Sequence, residues 1–429
     1  MTQNDLAWQK LFRDHKIIDS IEQYGEFTIS SREINVYREA RLMTKFDHHA
    51  NLPVLFQDNH LAILPISRGS YVIAEFDAYM KFENDDSPDI EYISFPENIQ
   101  SIDFENITSE ATAINCAYVS GIFNHFLEDE ELLPTVSGRM GSGTFNFNIN
   151  HLKNNNQINL IVSGSQIEID GGYEGINSLS LIEAKNSISS DFLIRQLYYP
   201  FRLWSHKIEK EVASIFLTYS NGIFHLYKYR FEDHHHYNSL VLMRHKRYSL
   251  ENRDISMNDI QKILASTASI KEPEVPFPQA DSFERLLNLC ELLYHKIELS
   301  KDDVTTTYDF DARQTDYYTN AGRYLGVIDK KKDNSIHYCL TAEGEKLFTL
   351  NYKNRQLRLI ELILQHYVFA EALTLYIERA EPPTKDTIVK LMKTANLYHI
   401  DTDITFNRRA STVLGWINWI LNNLADSCF

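Results

Sequence analysis

Apolar runs are short throughout the 429 residues. None approaches the roughly 18 consecutive apolar residues that a membrane-spanning helix needs, and the opening MTQNDLAWQKLFRDHK lacks the apolar stretch of a secretory signal. The expected location is therefore the cytoplasm. Cysteine is scarce: Cys116, Cys290, Cys339 and Cys428 are scattered, without a CxxC pair. Neither a zinc knuckle nor a disulfide framework is predicted, only reduced and mostly buried thiols. With 15 Gly and 11 Pro the chain is not collagen-like or of low complexity. What it does contain, 43% hydrophobic and 12% aromatic residues, suffices for two or three domains with substantial cores.

Positive charge is also in deficit, with a formal net charge of -17, which on its face disfavours a nucleic-acid partner. The deficit is local. Residues 51–135 hold 16 Asp and Glu against only Arg68 and Lys81, whereas residues 185–253 hold 11 Lys and Arg against 6 acids. Phosphate contact depends on the local field rather than the total, so a polyanion partner stays open, with the acidic stretch expected to face away from it.

Hydrophobic spacing divides the chain. Trp8, Leu11, Phe12, Ile18 and Ile21 predict a helical opening over the first 45 residues, and LPVLF, LAILPI, YVIAEF and YISF predict strands between Pro53 and Phe104, broken by a solvated turn at Asn84 to Asp89. Residues 1–104 thus form a mixed α/β region with possible DNA contacts. A helix over Ala111 to Leu127 precedes strands TFNFNIN, INLIVSG, QIEIDGG and SLSLIEAK. A helix then opens near Ser189 or Ser190 and closes before Pro200, and strands VASIFLTYS, IFHLYKYRF and SLVLMRH complete a mixed sheet within residues 105–270. Three prolines in KEPEVPFPQAD mark residues 271–281 as an extended linker. Beyond it, helices Phe283–Ile297, Asp302–Asp309 and Arg313–Leu325, followed by a hairpin with its tip at Lys330 to Asn334, describe a winged helix-turn-helix over residues 282–350. A long helix over Arg355 to Arg379 and two more, Lys385–Thr394 and Asn407–Leu424, form a second such unit over residues 351–429.

The segment IEIDGGYEGINSLSLIEAK, Ile167 to Lys185, carries the chemistry. Alternation sets Glu168 and Asp170 opposite Ile167 and Ile169, and Glu183 and Lys185 opposite Ile182 and Ala184. If the two strands are neighbours, acids and one ammonium converge. Carboxylate oxygens suit the hard cation Mg²⁺, which neutralises charge on a phosphoryl transition state and acidifies water, while a lysine orients that water or helps deprotonate it. The plain alternative is an exposed strand on which Glu and Lys merely alternate. Two features favour the site: the strands are otherwise strongly apolar, and the following helix brings Gln196 for the water and Arg195 or Arg202 for a phosphate.

The Asp170, Glu183, Lys185 pattern resembles the PD-(D/E)xK nuclease superfamily, with Ile169 where the motif's proline often stands. QIEIDGGYEG, LIEAKN, DFLIRQLYYPFRLW, EARLMTKFD, LAILPISRGSY, SGRMGSG and TFNRRASTVLGWINWI look like bacterial type II restriction endonucleases that append winged helices. The resemblance covers most of the chain. It implies a mixed α+β fold, in which a restriction-endonuclease-like α/β core joins the N-terminal mixed region and C-terminal winged helix-turn-helix units. Asp170 and Glu183 would be metal ligands and Lys185 the catalytic lysine, with Glu168 as a third ligand and Gln196 as a further catalytic residue. The implied activity is Mg²⁺-dependent, sequence-specific hydrolysis of double-stranded DNA, leaving 5′-phosphates. A homodimer is compatible with it, and a cognate DNA methyltransferase would be a genetic rather than a physical partner. Two rivals stand beside this reading: a methylation-dependent nuclease, and a winged-helix regulator with a degenerate nuclease-like domain.

Further residues suit DNA contact. Arg408, Arg409, Ser411 and Thr412 open the last helix ahead of an apolar face at Val413, Leu414, Trp416, Ile417, Trp419 and Ile420, and recognition helices read base edges with such residues. The first winged unit has 9 basic against 12 acidic residues over 283–349, so only its wing, Lys330, Lys331 and Lys332, is cationic, and packing or dimer contacts are the alternative role for this unit. His234, His235 and His236 beside Asp233 read as a solvated turn rather than a metal site, as do His48 and His49. Gly141-Ser142-Gly143 leads into a strand, which fits neither a hydrolase elbow nor a nucleotide loop.

Overall fold

A computed structural model describes residues 2–82, 89–250, 255–307, 310, 312–332, 335–395, 397–398, 400 and 402–424. The predicted turn at Asn84 to Asp89 (Asp89 apart), the hairpin tip at 333–334 and Cys428 lie outside them. The chain is mixed α/β, 42% helix and 28% strand, and divides into two compact units, residues 1–219 with 223–248, and 220–222 with 249–429. Among the described residues no single helix is long and apolar enough to cross a membrane.

The first unit opens with α1 (Gln3–Asp14), started by a reciprocal cap between Thr2 and Asp5 and burying Trp8, Leu11 and Phe12. The helical opening does not run unbroken. After α2 (Ile17–Tyr24) comes strand β1 (Glu26–Ser30), then α3 (Ser31–Asn35), α4 (Ala40–Met43), α5 (Val54–Asp58), β2 (Ala62–Ser67) and β3 (Ser70–Ala74). Strands β1, β3 and β2 form one sheet, in that order. Its alternating side chains serve two cores: Ile63 and Ile73 join Trp8 and Phe56, while Ala62, Leu64, Val72 and Ala74 join Phe147 and Tyr198. Residues 1–104 are therefore not a separable region, because β2 and β3 belong to the same packing as the strands that follow.

Short strands β4 (Tyr79–Lys81) and β5 (Ile90–Tyr92) lead to α6 (Glu110–Val119) and α7 (Ile122–Leu127), which replace the single predicted helix. Then come β6 (Leu133–Gly141), β7 (Thr144–Asn150), β8 (Gln157–Ser163), β9 (Gln166–Glu174), β10 (Ser178–Lys185), β11 (Asp191–Leu193), α8 (Arg195–Ser205), β12 (Glu211–Ser220), β13 (Ile223–Phe231) and β14 (Leu240–Ser249). The main sheet has seven strands in the order β5-β14-β13-β12-β10-β9-β6. Strand β10 pairs antiparallel with β9 and parallel with β12, and α8 makes the crossover to β12. A central strand flanked on both edges is buried on both faces, and Leu179 to Ala184 are all buried. Helix α8 does not end before Pro200 but runs through it to Ser205; the proline removes one helix hydrogen bond, that to the Gln196 carbonyl.

The second unit contains α9 (Met257–Ser266), so the sheet-bearing unit ends near residue 248 rather than 270. Next are α10 (Phe283–Lys296), β15 (Glu298–Ser300), α11 (Lys301–Thr307), α12 (Ala312–Tyr324), β16 (Ile328–Lys332) and β17 (Ile336–Leu340), the strands pairing antiparallel in the order β15-β17-β16. Helices α13 (Ala342–Leu347), α14 (Tyr352–Leu364), α15 (Tyr367–Arg379), α16 (Lys385–Thr394) and α17 (Asp403–Asn422) complete it. The predicted helix over Arg355 to Arg379 is broken, α14 and α15 meeting at 108°. His366 has extended backbone there, and its buried ring stacks on Tyr324 at 4.0 Å.

One hydrophobic core joins Leu286, Leu293 and Tyr338 to Phe369, Ile388 and Trp416, so residues 282–350 and 351–429 share an interior. Residues 271–281 are not a linker. Phe277 is buried and stacks on Phe369 at 5.5 Å, Trp416 Nε1 donates to the Ala280 carbonyl at 2.8 Å, and Thr412 Oγ1 donates to Asp281 at 2.6 Å. Prolines hold the segment extended, and its apolar side chains then bury as a strap.

Candidate functional site

Antiparallel pairing of β9 and β10 runs from Leu179 opposite Glu174 to Ile182 opposite Gly171. One residue further, Asp170 Oδ2 accepts the Ala184 N–H at 2.9 Å, a carboxylate standing where a strand carbonyl would. Beyond this point Glu183 and Lys185 sit side by side, as the period of two requires. The Lys185 ammonium donates to Glu183 Oε1 and, at 3.3 Å, to the Ala184 carbonyl. From the start of α8, Gln196 Nε2 donates to the same Glu183 oxygen at 2.5 Å. Asp170, Glu183, Lys185 and Gln196 are thereby brought together.

Two acids that sequence reasoning missed complete the cluster. Asp47 follows α4 and is pinned to β11: its carbonyl accepts the Leu193 N–H at 2.9 Å, His48 Nδ1 lies 2.6 Å from the Asp191 carbonyl, and the His49 N–H donates to Asp191 Oδ1 at 3.0 Å. His48 is buried, not in a solvated turn. Glu110 is the first residue of α6, behind the Ser109 cap. Such a position signals only helix initiation, so nothing in the sequence marked it. It also lies within the acidic stretch expected to face away from a polyanion.

The electrostatics are those of a crowded, partly dry carboxylate site. Burial pushes the Glu183 carboxyl up to about 7, against the pull of Lys185 and with the help of Asp170. Burial likewise raises Glu110, opposed by Lys185. Burial works against charge on Asp47, yet Lys185, Lys45, His48 and Arg195 together hold it below the usual carboxylate range. Lys185 is desolvated too, but Glu183, Asp47 and Glu110 outweigh that and keep it protonated.

These groups line a cleft of about 650 Å³. Glu168 lines it as well, but at an exposed position where it pairs with Arg139 at 3.1 Å rather than with Asp170 and Glu183. Arg41, Lys45, Arg68, Arg139 and Arg195 supply cations along the cleft. Among the described residues no three carboxylate, imidazole or thiol groups already converge as a metal-ligand set. The donors present nevertheless suit a hard cation: two carboxylates close together, and Gln196 Oε1, which is buried without a hydrogen-bond partner.

Other expected residues lie elsewhere. Arg202 is buried, donating to the Asn146 carbonyl at 2.8 Å and to Tyr198 Oη at 2.9 Å, and cannot reach a phosphate. Thr412 is fully buried on Asp281, which removes it from any DNA surface. Arg408 is exposed, whereas Ser411 and Arg409 are half-buried, and desolvation lowers the Arg409 guanidinium from its ordinary value. Lys330, Lys331 and Lys332 are exposed on β16, with Lys331 3.2 Å from Glu298. His234 and His235 are exposed in a turn closed by the His235 N–H on Asp233 Oδ1 at 2.8 Å.

Three domains of unknown function match successive parts of the chain: DUF6996 over residues 5–73, DUF6997 over 74–249 and DUF7226 over 285–425. The first boundary falls inside the first compact unit, at the end of β3, and the second coincides with the end of the main sheet. No curated protein and no solved structure matches the chain.

Proposed function

We propose that the chain is a Mg²⁺-dependent, sequence-specific DNA endonuclease of the type II restriction kind, with a PD-(D/E)xK core in its first unit. The observation that carries this reading is the meeting of Asp170, Glu183 and Lys185 where β9 and β10 part, inside a cleft with arginines and lysines along it. Asp170 and Glu183 would hold Mg²⁺, which when bound neutralises charge on the phosphoryl group and acidifies water. Lys185, kept protonated by its acidic neighbours, acts as a hydrogen-bond donor and cation toward water or phosphate rather than as a base. Gln196 fixes the Glu183 carboxylate through Nε2 and leaves Oε1 to accept from water. In-line attack by water with departure of the 3′-oxygen leaves a 5′-phosphate, and no side-chain nucleophile is needed.

In the second unit, the order α10, β15, α11, α12, β16, β17 with its three-stranded sheet supports reading this part as a winged helix. On this reading α12 enters the major groove, with exposed Arg313 at its start, and Lys330 and Lys332 form a cationic wing. Residues 351–429 then contribute Arg408 at most, and otherwise pack.

Incubation of the purified chain with unmethylated phage DNA and Mg²⁺ tests the proposal, discrete fragments being expected. Cleavage confined to methylated DNA would instead favour the methylation-dependent rival. Binding without cleavage at any metal concentration would favour the regulator.

A further inference from the structure

The cleft extends beyond the carboxylates to a wall that the catalytic chemistry does not use. The turn between β2 and β3 carries Arg68 to the cleft, and the end of β6 brings Arg139, with Ser165 just ahead of β9. Arg41, on α4, lines the same cleft. Arg68 and Arg41 are exposed and form no ion pair among the described residues. Arg139 pairs with Glu168, and both side chains are more than half exposed, so that contact is weak and exchangeable.

Ser165 is fully buried, so it backs the cleft rather than contacting a ligand in it. The surrounding backbone is fixed: the Ser142 N–H donates to the Ser165 carbonyl at 2.8 Å, and the Ser31 N–H holds the Gly69 carbonyl at 2.8 Å beside Arg68. These donors are preorganised rather than trailing on loose chain.

We infer that Arg68 and Arg139 form a phosphate subsite for the DNA strand being cut, one that holds a phosphodiester outside the scissile position, and that Arg41 steers the same backbone. A backbone fits better than a free anion, because the cations come from three chain segments along a single cleft continuous with Asp170 and Glu183. The inference rests on the endonuclease reading and deepens it. It gives residues 5–73 a direct part in substrate binding, through Arg41 and Arg68.

The test uses the full chain and a short DNA duplex of random sequence, with Ca²⁺ replacing Mg²⁺, and affinity followed over a series of salt concentrations. Arg68→Ala and Arg139→Ala should each weaken binding roughly threefold to tenfold at low salt and reduce the slope of log affinity against log salt by about 1. Arg68→Lys should keep the slope, since it keeps the charge. Both arginines are exposed, so folding should be unaffected, and unchanged thermal unfolding would verify this. Slopes equal to wild type in both alanine variants would overturn the subsite while leaving the nuclease reading intact. A wild-type chain that neither binds duplex nor cuts phage DNA would overturn both.

Discussion

Strand β10 and helix α17 both mix polar and apolar residues, and the sequence aims the polar residues of both at a nucleic acid. In the strand the polar side chains converge as the alternation requires, with Glu183 and Lys185 adjacent and Gln196 donating to Glu183. In the helix only Arg408 of the four expected residues is exposed, and one turn later Thr412 is covered by Asp281, 131 residues away in the chain. Strand direction has a period of two, so two residues at i and i+2 share a face whatever packs nearby. A helix face is decided by which partner covers it, and here the partner is the strap at 271–281. Gly415 shows how closely the strap lies: a Cβ there would come within 2.4 Å of the Asp281 carbonyl.

The sharpest contrast between the two elements is catalytic. Asp170→Ala or Glu183→Ala should abolish cleavage while leaving duplex binding in Ca²⁺, and Lys185→Ala should cost several orders of magnitude in single-turnover rate. Near-normal cleavage by either carboxylate variant would reject the site. No substitution in α17 should approach that loss.

Stability reverses the ranking. Phe277→Ala removes a buried aromatic anchor of the strap and should destabilise the second unit by about 3–5 kcal/mol in denaturant unfolding. Gly415→Ala, which by helix propensity alone would stabilise by about 1 kcal/mol, should instead destabilise, since backbone blocks the new methyl. A fragment starting at Ser282 lacks the strap and should not unfold cooperatively. If it does, the strap is dispensable after all.

Glu183 gives a pH test. Its carboxyl is raised to about 7 from 4.5, so the stability linked to its neutral form is fully present below 4.5 and lost as pH rises through 7. Glu183→Gln should remove that fall and be the more stable protein at pH 8, by on the order of 2 kcal/mol. A stability difference independent of pH would mean that folding does not shift the Glu183 carboxyl. Mg²⁺ affinity of the wild type should rise over the same interval, as proton and cation compete.

The smallest expected effect lies at Arg408. If it reads a base, Arg408→Ala should lose about 1–3 kcal/mol of discrimination at one position; if it meets phosphate, all sequences should weaken alike. No change in either would leave α17 without a direct DNA role and move recognition to α12.

What was legible in the sequence follows the same division. Two-residue alternation and apolar strands gave Asp170, Glu183 and Lys185, and helix spacing with a cationic hairpin gave α10, α11, α12, β16 and β17 but not β15. Asp47 and Glu110 escaped because their meeting with Lys185 depends on tertiary packing that no local pattern encodes. The strap was misread because proline marks extended backbone but does not say whether that backbone is free or docked. The break between α14 and α15 hides in an unbroken apolar pattern, with no proline or glycine at residues 365–366 to announce it.

The pinning of residues 47–49 onto β11 spans 143 positions of sequence. During synthesis the N-terminal helices can collapse around Trp8 early, from contacts close in the chain, while Asp47 must wait until Asp191 and Leu193 have left the ribosome. The acidic cluster therefore cannot assemble until β11 has been made. A nascent chain halted before β11 carries Arg41, Lys45 and Arg68 but lacks the strand that holds Asp47 in place, so on the proposed reading an incomplete product would not cut DNA.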